Sequence, residues 1–240
     1  MPTTTVEGVV LRRWDSREND RTVSLLTRER GRLIAVARGA RKARSKLAGI
    51  TEPLTHSRMQ LAHGRRVEYI TQVQAVSSFP GLRTDYRRLL AALAWIEALD
   101  AVLPLGEPHP DVFDLCVLTL NCIAGAKEPL APLCWADLRL MELAGFAPEF
   151  RVSVVSGKAL RGQKRWLSPR AGGALNQGED GGGEDRFSVS REVAVALAKL
   201  QDAEEPPNYM KRAPDVTRAL LPFWLDIAGR NLPARKRLLE

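Results

Sequence analysis

The stretch that decides the fold reads TVSLLT (22–27), RERG (28–31) and RLIAVAR (32–38). Two runs of β-branched and other apolar residues flank a short charged turn that ends in Gly31. Runs of this length, separated by a few residues that include a glycine, are typical of two antiparallel strands joined in a hairpin. The stretch therefore predicts two neighbouring strands of a sheet rather than a helix.

Three further strands are predicted on either side of this hairpin, at residues 5–11, 54–62 and 66–75. One longer connection, residues 39–53, follows the third strand along the chain. Five short strands with tight turns and one longer connection favour a small OB-like β-barrel. An SH3-like barrel is the closest structural alternative, and strand periodicity does not separate the two.

The periodicity of the sequence changes after Pro80. Residues 86–99 are rich in Ala and Leu at helical spacing. Further helices are predicted at residues 110–124, 132–144, 190–201 and 214–228. The sequence therefore predicts an α+β protein, with an OB-fold domain at residues 1–80 and an α-helical domain at residues 81–240.

The excess positive charge is confined to the first third of the chain. Residues 1–80 hold 15 Lys and Arg against 7 Asp and Glu, whereas residues 81–240 hold 21 of each. The formal net charge of +8 therefore belongs entirely to the predicted barrel. A localised positive field suits a polyanion such as nucleic acid, and an effect on solubility alone is the less specific explanation.

The densest cationic segment reads ARGARKARSK (37–46) and includes the end of the third predicted strand. A loop with this many cationic side chains can neutralise several phosphates and release their counterions. A solvated, flexible loop is the alternative. We predict DNA contacts from this segment and from neighbouring strands and turns, at Arg12, Arg28, Arg30, Arg32, Arg38, Arg41, Lys42, Arg44 and Lys46.

Aromatic residues are few in this part of the chain: Trp14, Tyr69 and Phe79. Proteins that bind single strands commonly stack bases on aromatic side chains. Trp14 borders a polar turn and could serve in this way, but a lone Trp is more often packed in a core. We therefore expect electrostatic attraction to outweigh stacking.

No pattern of catalytic residues emerges from the sequence. The three histidines have no metal-type spacing. Asp15, Glu18 and Asp20 could hold a divalent metal, as a nuclease requires, but a charged hairpin turn explains them more simply. We predict a protein that is not an enzyme, with no catalytic residue and no cofactor. The alternatives are an OB-fold RNA-binding protein and a metal-dependent nucleic-acid-processing protein.

The three cysteines, Cys116, Cys122 and Cys134, lie in apolar, helix-like segments, which favours buried thiols and a reducing compartment. No run of 18 or more uncharged apolar residues predicts a transmembrane helix. Residues 1–5 do not have the pattern of a secretory signal. We therefore expect a cytoplasmic, nucleoid-associated protein that does not bind a membrane.

Several short motifs in the predicted barrel occur in a familiar order and spacing. They read VVLR (9–12), ENDR (18–21), LTRERG (26–31) and ARGAR (37–41). Two more motifs follow further along the chain, LAGFAP (143–148) and, as a weaker match, LPARKRL (232–238). In these motifs the sequence resembles the RecO family of bacterial recombination mediators.

This resemblance implies a function in DNA repair and recombination without covalent chemistry. Members of the family bind single- and double-stranded DNA and anneal complementary strands. With RecR they help to load RecA onto DNA that is coated by single-stranded-DNA-binding protein, whose acidic C-terminal tail they engage. Such a tail, ending in an apolar residue, requires an apolar groove bordered by arginine, and Arg87, Arg88 and Arg139 are candidates for it.

The resemblance also implies a zinc ribbon, but its ligands are missing here. The family's first Cys-x-x-Cys pair falls on Ser153 and Ser156, and the second falls near Asn176 and Glu179. A neutral hydroxyl is a poor substitute for a thiolate as a zinc ligand. We therefore predict a degenerate, cysteine-free zinc-ribbon-like insertion at about residues 147–187, with no structural metal.

Overall fold

Five strands form the first part of the chain in the computed structural model, which describes residues 3–16, 18–64, 67–178 and 183–240. They are β1 (Thr3–Asp15), β2 (Arg21–Thr27), β3 (Gly31–Ala37), β4 (His56–His63) and β5 (Glu68–Ser77). The five predicted strands are confirmed, and β1 extends beyond its predicted bounds at both ends.

The strands close into a barrel in the order β1-β2-β3-β5-β4, and β4 pairs back onto β1. The pair β3–β5 is parallel and the other pairs are antiparallel. Alternate side chains of each strand fill the interior, because successive residues of a strand point to opposite faces. This core includes Val6, Val23, Leu25, Leu33, Ala35, Met59 and Ile70.

Three α-helices are described in the same part of the chain: α1 (Leu47–Ile50) lies between β3 and β4, and α2 (Tyr86–Val102) and α3 (Pro110–Gly125) follow β5. Asp85 caps α2, where its side chain accepts the backbone N–H of Arg88. Gly31 begins β3 with a φ of +65°, and a Cβ atom there would lie 1.8 Å from the carbonyl oxygen of Glu107. Only glycine fits this close approach between the barrel and the connection from α2 to α3.

Two compact units divide the chain, residues 1–124 and residues 125–240. The sequence-based boundary near residue 80 marks the change from strands to helices. The boundary between the compact units lies further along the chain, because α2 packs against β1 and Asp100 of α2 accepts hydrogen bonds from Ser24 and Arg32 of the barrel. The barrel and the first two long helices therefore form one unit.

The second unit contains α4 (Leu130–Leu143), α5 (Arg191–Asp202), α6 (Ala213–Ala228) and α7 (Pro233–Arg237). Ser190 caps α5, because its hydroxyl accepts the backbone N–H of Val193. Three strands between residues 164 and 190 form a sheet with the order β7-β6-β8. Its strands are β6 (Lys164–Ser168), β7 (Gly173–Leu175) and β8 (Phe187–Ser190). In the described ranges no helix is long and apolar enough to cross a membrane.

Candidate nucleic-acid interface

The basic loop, residues 38–46, is a series of tight turns rather than an extended segment. The backbone N–H of Lys42 donates to the carbonyl of Gly39 at 3.1 Å, and the backbone N–H of Ser45 donates to the carbonyl of Lys42 at 3.0 Å. Gly39 and Arg44 both have positive φ values, +66° and +68°. A positive φ is uncommon for Arg, and a residue keeps this conformation only where the surrounding structure, here its hydrogen bonds, stabilises it.

The loop is tied to the β1–β2 connection. Asp20 accepts the backbone N–H of Gly39 at 2.8 Å, and the carbonyl of Asn19 accepts that of Arg41 at 3.0 Å. The Arg41 side chain donates to the Glu18 carbonyl at 3.0 Å and lies 3.4 Å from the Asp15 carboxylate. Asp15 and Asp20 therefore hold the loop in place, which explains these acidic residues without a metal ion.

Lys42, Arg44 and Lys46 project from these turns into solvent. Within the part of the chain that the structure describes, none of the three makes a salt bridge with an acidic residue. Because exposed cations that lack acidic partners keep their full field, these three are the strongest phosphate-binding candidates of the loop.

Two other residues predicted to contact DNA, Arg12 and Arg38, place their guanidinium groups over aromatic rings. The guanidinium carbon of Arg38 is 4.1 Å from the centroid of the Tyr69 ring, and that of Arg12 is 5.6 Å from the centroid of Trp14. Trp14 is 37% exposed, so the prediction that it packs in the core is wrong. Because β1 continues to Asp15, Trp14 lies on the outer face of the sheet rather than in the barrel interior.

Three of the predicted DNA contacts are engaged in ion pairs within the first unit. Arg28 forms two hydrogen bonds with Asp114 on α3, one of them 2.9 Å long. Arg30 lies 2.9 Å from Glu68 and Arg32 lies 3.2 Å from Asp100. These carboxylates are 86, 38 and 68 residues away in sequence, so no local pattern predicts the pairs. Arg28, Arg30 and Arg32 are thus less available to phosphates than the loop.

The three arginines considered for a protein partner do not form one cluster. Arg87 and Arg88 belong to the first unit and Arg139 to the second. Arg88 donates to the carbonyls of Ile123 and Ala124 at 2.7 and 2.9 Å, at the end of α3. Arg139 donates to Gln201 and Ala203 at 2.6 and 2.9 Å, at the end of α5. Both satisfy the free carbonyls of a helix C-terminus.

The second unit has an apolar groove that sequence reasoning did not find. It has a volume of about 640 Å³ and is lined by β8, the start of α5, and α6. Val189, Ala219 and Pro222 contribute apolar surface to it. At the same groove Arg212 and Arg218 lie 3.3 and 3.2 Å from the carboxylate of Asp215. Its residues are distant in sequence, so only the fold assembles them.

The positions of the expected zinc ligands are occupied by other hydrogen bonds. The buried Ser153 hydroxyl accepts the backbone N–H of Val155 at 3.2 Å and that of Ser156 at 3.3 Å. The Asn176 side chain accepts the backbone N–H of Arg161 at 3.0 Å, and Glu179 lies outside the described residues. These groups do not fit a zinc ion, and the described ranges hold no group of three or more His, Cys, Asp or Glu placed to bind a metal.

Comparison with known families agrees with the resemblance of the motifs. A family model described as "Recombination protein O N terminal" matches residues 1–79, and one described as "Recombination protein O C terminal" matches residues 83–223. The chain belongs to the RecO family. This family contains DNA repair proteins, and the first model covers the barrel and the basic loop.

Individual relatives support the assignment along almost the whole chain. The DNA repair protein RecO of Symbiobacterium thermophilum is 31% identical, over 97% of this chain and 95% of the relative. That of Nocardioides sp. is 39% identical, over 70% of this chain and 71% of the relative. That of Gloeobacter violaceus is 32% identical, over 83% of this chain and 77% of the relative. Barrel and helical parts are therefore both parts of the RecO family sequence.

Proposed function

We propose that this chain is a recombination mediator that binds single- and double-stranded DNA through the basic loop and anneals complementary strands. The observation that carries the proposal is the set of exposed cations, Lys42, Arg44 and Lys46, on turns held by the β1–β2 connection. Arg12, Arg38 and Arg41 add cations on the same part of the barrel. The role is one of binding, with no catalytic residue and no cofactor.

Electrostatics explains how such a surface promotes annealing. Two complementary strands repel each other through their phosphates, and a cationic surface that binds both lowers this repulsion. Each phosphate that is neutralised also releases condensed counterions, so the affinity depends on salt and hardly on sequence. A fixed loop loses less conformational freedom on binding than a flexible one, which favours binding further.

The proposal is tested by replacing Lys42, Arg44 and Lys46 together with Ala. Exposed substitutions cost within about 0.5 kcal/mol each, so the variant stays folded. Affinity for both DNA forms falls, and the slope of log affinity against log salt shrinks by about 2 to 3, at roughly 0.7–0.9 for each lost phosphate contact. The annealing rate of complementary oligonucleotides falls with it.

A matched control removes three exposed lysines of the second unit, Lys158, Lys199 and Lys211, and so makes the same change in net charge. This control keeps the wild-type salt slope if the loop is the binding surface. An unchanged slope in the folded loop variant contradicts the proposal. RNA of matched length competing as well as DNA favours an RNA-binding protein, and metal-dependent hydrolysis of DNA by the pure chain favours a nuclease.

We also propose that the groove of the second unit binds the acidic C-terminal tail of single-stranded-DNA-binding protein. Two arginines beside apolar surface support this occupant: Arg212 and Arg218 share the carboxylate of Asp215, and the carboxylates of an acidic tail would compete with Asp215 and Glu192 for them. The apolar end of the tail would fill the groove next to Ala219 and Pro222. Together with RecR, a chain anchored in this way would help to load RecA where the coating protein is bound.

The groove is tested in the full chain with a fluorescently labelled tail peptide. We expect Arg218→Glu to weaken peptide binding at least tenfold, because it places a like charge beside the tail. Lys199→Glu makes the same charge change outside the groove and leaves the affinity within about twofold. Equal weakening by both variants, or by neither, contradicts this location.

Finally, we propose that residues 147–187 are the remnant of a zinc ribbon that has become independent of metal. The three-stranded sheet and the turn at Ser153 support this interpretation, because hydrogen bonds stabilise the turn where the resemblance implies a thiolate.

A further inference from the structure

A row of outward-facing side chains crosses four neighbouring strands of the barrel. Trp14 on β1 pairs with Thr22 on β2, Thr22 pairs with Val36 on β3, and Val36 pairs with Tyr69 on β5. Residues that pair directly across a ladder point to the same face of the sheet. Their neighbours in sequence point into the core, at Val23, Ala35, Ala37 and Ile70. The row therefore lies on the outside of the barrel, with an aromatic residue at each end.

Each of these aromatic rings is accompanied by an arginine. Arg12 lies over Trp14 and Arg38 lies over Tyr69, at the distances given above. The Tyr69 ring also rests against the backbone of Gly64, where a Cβ atom would lie 2.6 Å from the ring carbon Cε2. Gly64 and Arg38 therefore restrict the movement of the Tyr69 ring, and Tyr69 in turn holds the guanidinium of Arg38.

We propose that Trp14 and the Arg38–Tyr69 pair are two base-stacking positions for single-stranded nucleic acid. This inference rests on the proposed function and adds to the basic loop a contact with bases. The indole of Trp14 is exposed enough to receive a base directly. At the other end the base stacks on the planar guanidinium of Arg38, a geometry that Arg provides and Lys does not.

The spacing of the two positions suits several nucleotides. Around the outside of the closed barrel, the path from β1 to β5 by way of β2 and β3 crosses three strand spacings, an arc of about 14 Å at about 4.8 Å each. That distance corresponds to roughly four stacked bases at a rise of about 3.4 Å. Between the two positions lie Thr22, which is buried, and Val36, which is half-buried. Arg38 is also the first residue of the basic loop. The phosphates next to the base at the Arg38–Tyr69 position therefore lie near the loop cations.

The row discriminates between the two DNA forms, whereas the loop does not. In a duplex the faces of the bases are covered by their neighbours, so only a single strand can stack on Trp14 and Arg38. Duplex DNA is then held by the loop cations alone. Formation of a duplex removes the bases from the row, and the annealed product is bound more weakly than the separate strands.

The closing experiment uses substitutions that keep the charge. Arg38→Lys removes the planar group, while Arg161→Lys makes the same change at an exposed arginine of the second unit. Trp14→Leu removes stacking, while Trp14→Phe retains it. We expect Arg38→Lys and Trp14→Leu each to weaken single-strand binding about 5- to 100-fold, as loss of one stacked base does. Duplex affinity, the salt slope and both control variants stay within about twofold of wild type.

The outcomes separate this inference from the proposed function. Wild-type single-strand binding by Arg38→Lys and Trp14→Leu overturns the inference, and the proposed function survives if the loop variant still loses its salt slope. Equal loss on single strands and duplex also overturns it. If Trp14→Leu fails to fold, fluorescence of the wild type replaces this test. The emission of Trp14 is obtained by subtracting the Trp14→Phe spectrum from the wild-type spectrum. We expect single strands to quench it and duplex DNA not to, and the absence of quenching by single strands contradicts the inference.

Discussion

The guanidinium of Arg235 and the carboxylate of Asp137 form a bidentate ion pair in which neither side chain is exposed. The two hydrogen bonds are 2.5 and 2.7 Å long, and they join residues 98 positions apart. Arg235 also lies 4.9 Å from the ring centroid of Trp224. Arg235 belongs to α7 and Asp137 to α4, so the pair joins these two helices within the second unit.

Arg235→Met should lower the free energy of unfolding by about 3–5 kcal/mol, because it leaves a buried carboxylate without its partner. Arg237→Met changes an exposed arginine of the same helix and should cost within about 0.5 kcal/mol. Chemical denaturation measures both. If the double variant Asp137→Leu/Arg235→Met is no more stable than Arg235→Met alone, the explanation by an uncompensated charge is wrong.

Asp100→Ala should destabilise the first unit by about 2–4 kcal/mol, since Ser24 and Arg32 both lose a buried acceptor. Asp100 accepts the Ser24 hydroxyl at 2.6 Å and the Arg32 guanidinium at 3.2 Å. Arg32→Ala should act on stability in the same direction. Arg32→Ala should leave the salt slope of DNA binding unchanged while the protein is folded, because its cation is already paired with Asp100. A reduced slope in Arg32→Ala would show that Arg32 binds phosphate in spite of its ion pair.

Ser153→Ala should destabilise the second unit by about 1–3 kcal/mol, because two backbone N–H groups lose their acceptor. Thermal unfolding in the presence and absence of a chelator measures the contribution of metal directly. We expect the melting temperature to be the same in both, since the Ser153 hydroxyl is used within the turn. One zinc ion per chain in elemental analysis would contradict this.

The cysteines should react slowly in the folded protein. Burial raises the pKa of Cys116 and of Cys134 to about 12. Burial also raises the pKa of the half-buried Cys122. Since the thiolate is the reactive form, a thiol reagent at pH 8 should modify at most Cys122 until denaturant exposes all three. Rapid modification of all three in the native protein would contradict this.

The same thiols make stability depend on pH in the alkaline range. Their pKa is raised in the folded state above the ordinary value of 9.0, so the unfolded chain ionises first. Stability from these thiols is therefore complete below about pH 9 and is lost as the pH rises towards 12. Replacing Cys134 with Ala should reduce this alkaline loss, which denaturation at pH 8 and pH 10 can measure.

The sequence by itself determined the strands, the long helices and the location of the positive charge. Strand and helix periods are local, so runs such as residues 22–27 and 86–99 contain their own signal. The motifs of the barrel also indicated the family. Sequence periods did not show the sheet of the second unit, because β6, β7 and β8 are three to five residues long; only the family resemblance indicated a ribbon there.

Only the tertiary structure decided which arginines are paired with acidic residues. In sequence, Arg28, Arg30 and Arg32 look no different from Arg44, yet acidic residues far along the chain neutralise the first three. The row that joins Trp14 to Tyr69 exists only through the register of four strands. A side chain's neighbours are fixed by packing rather than by its position in the chain, and its availability for binding depends on those neighbours.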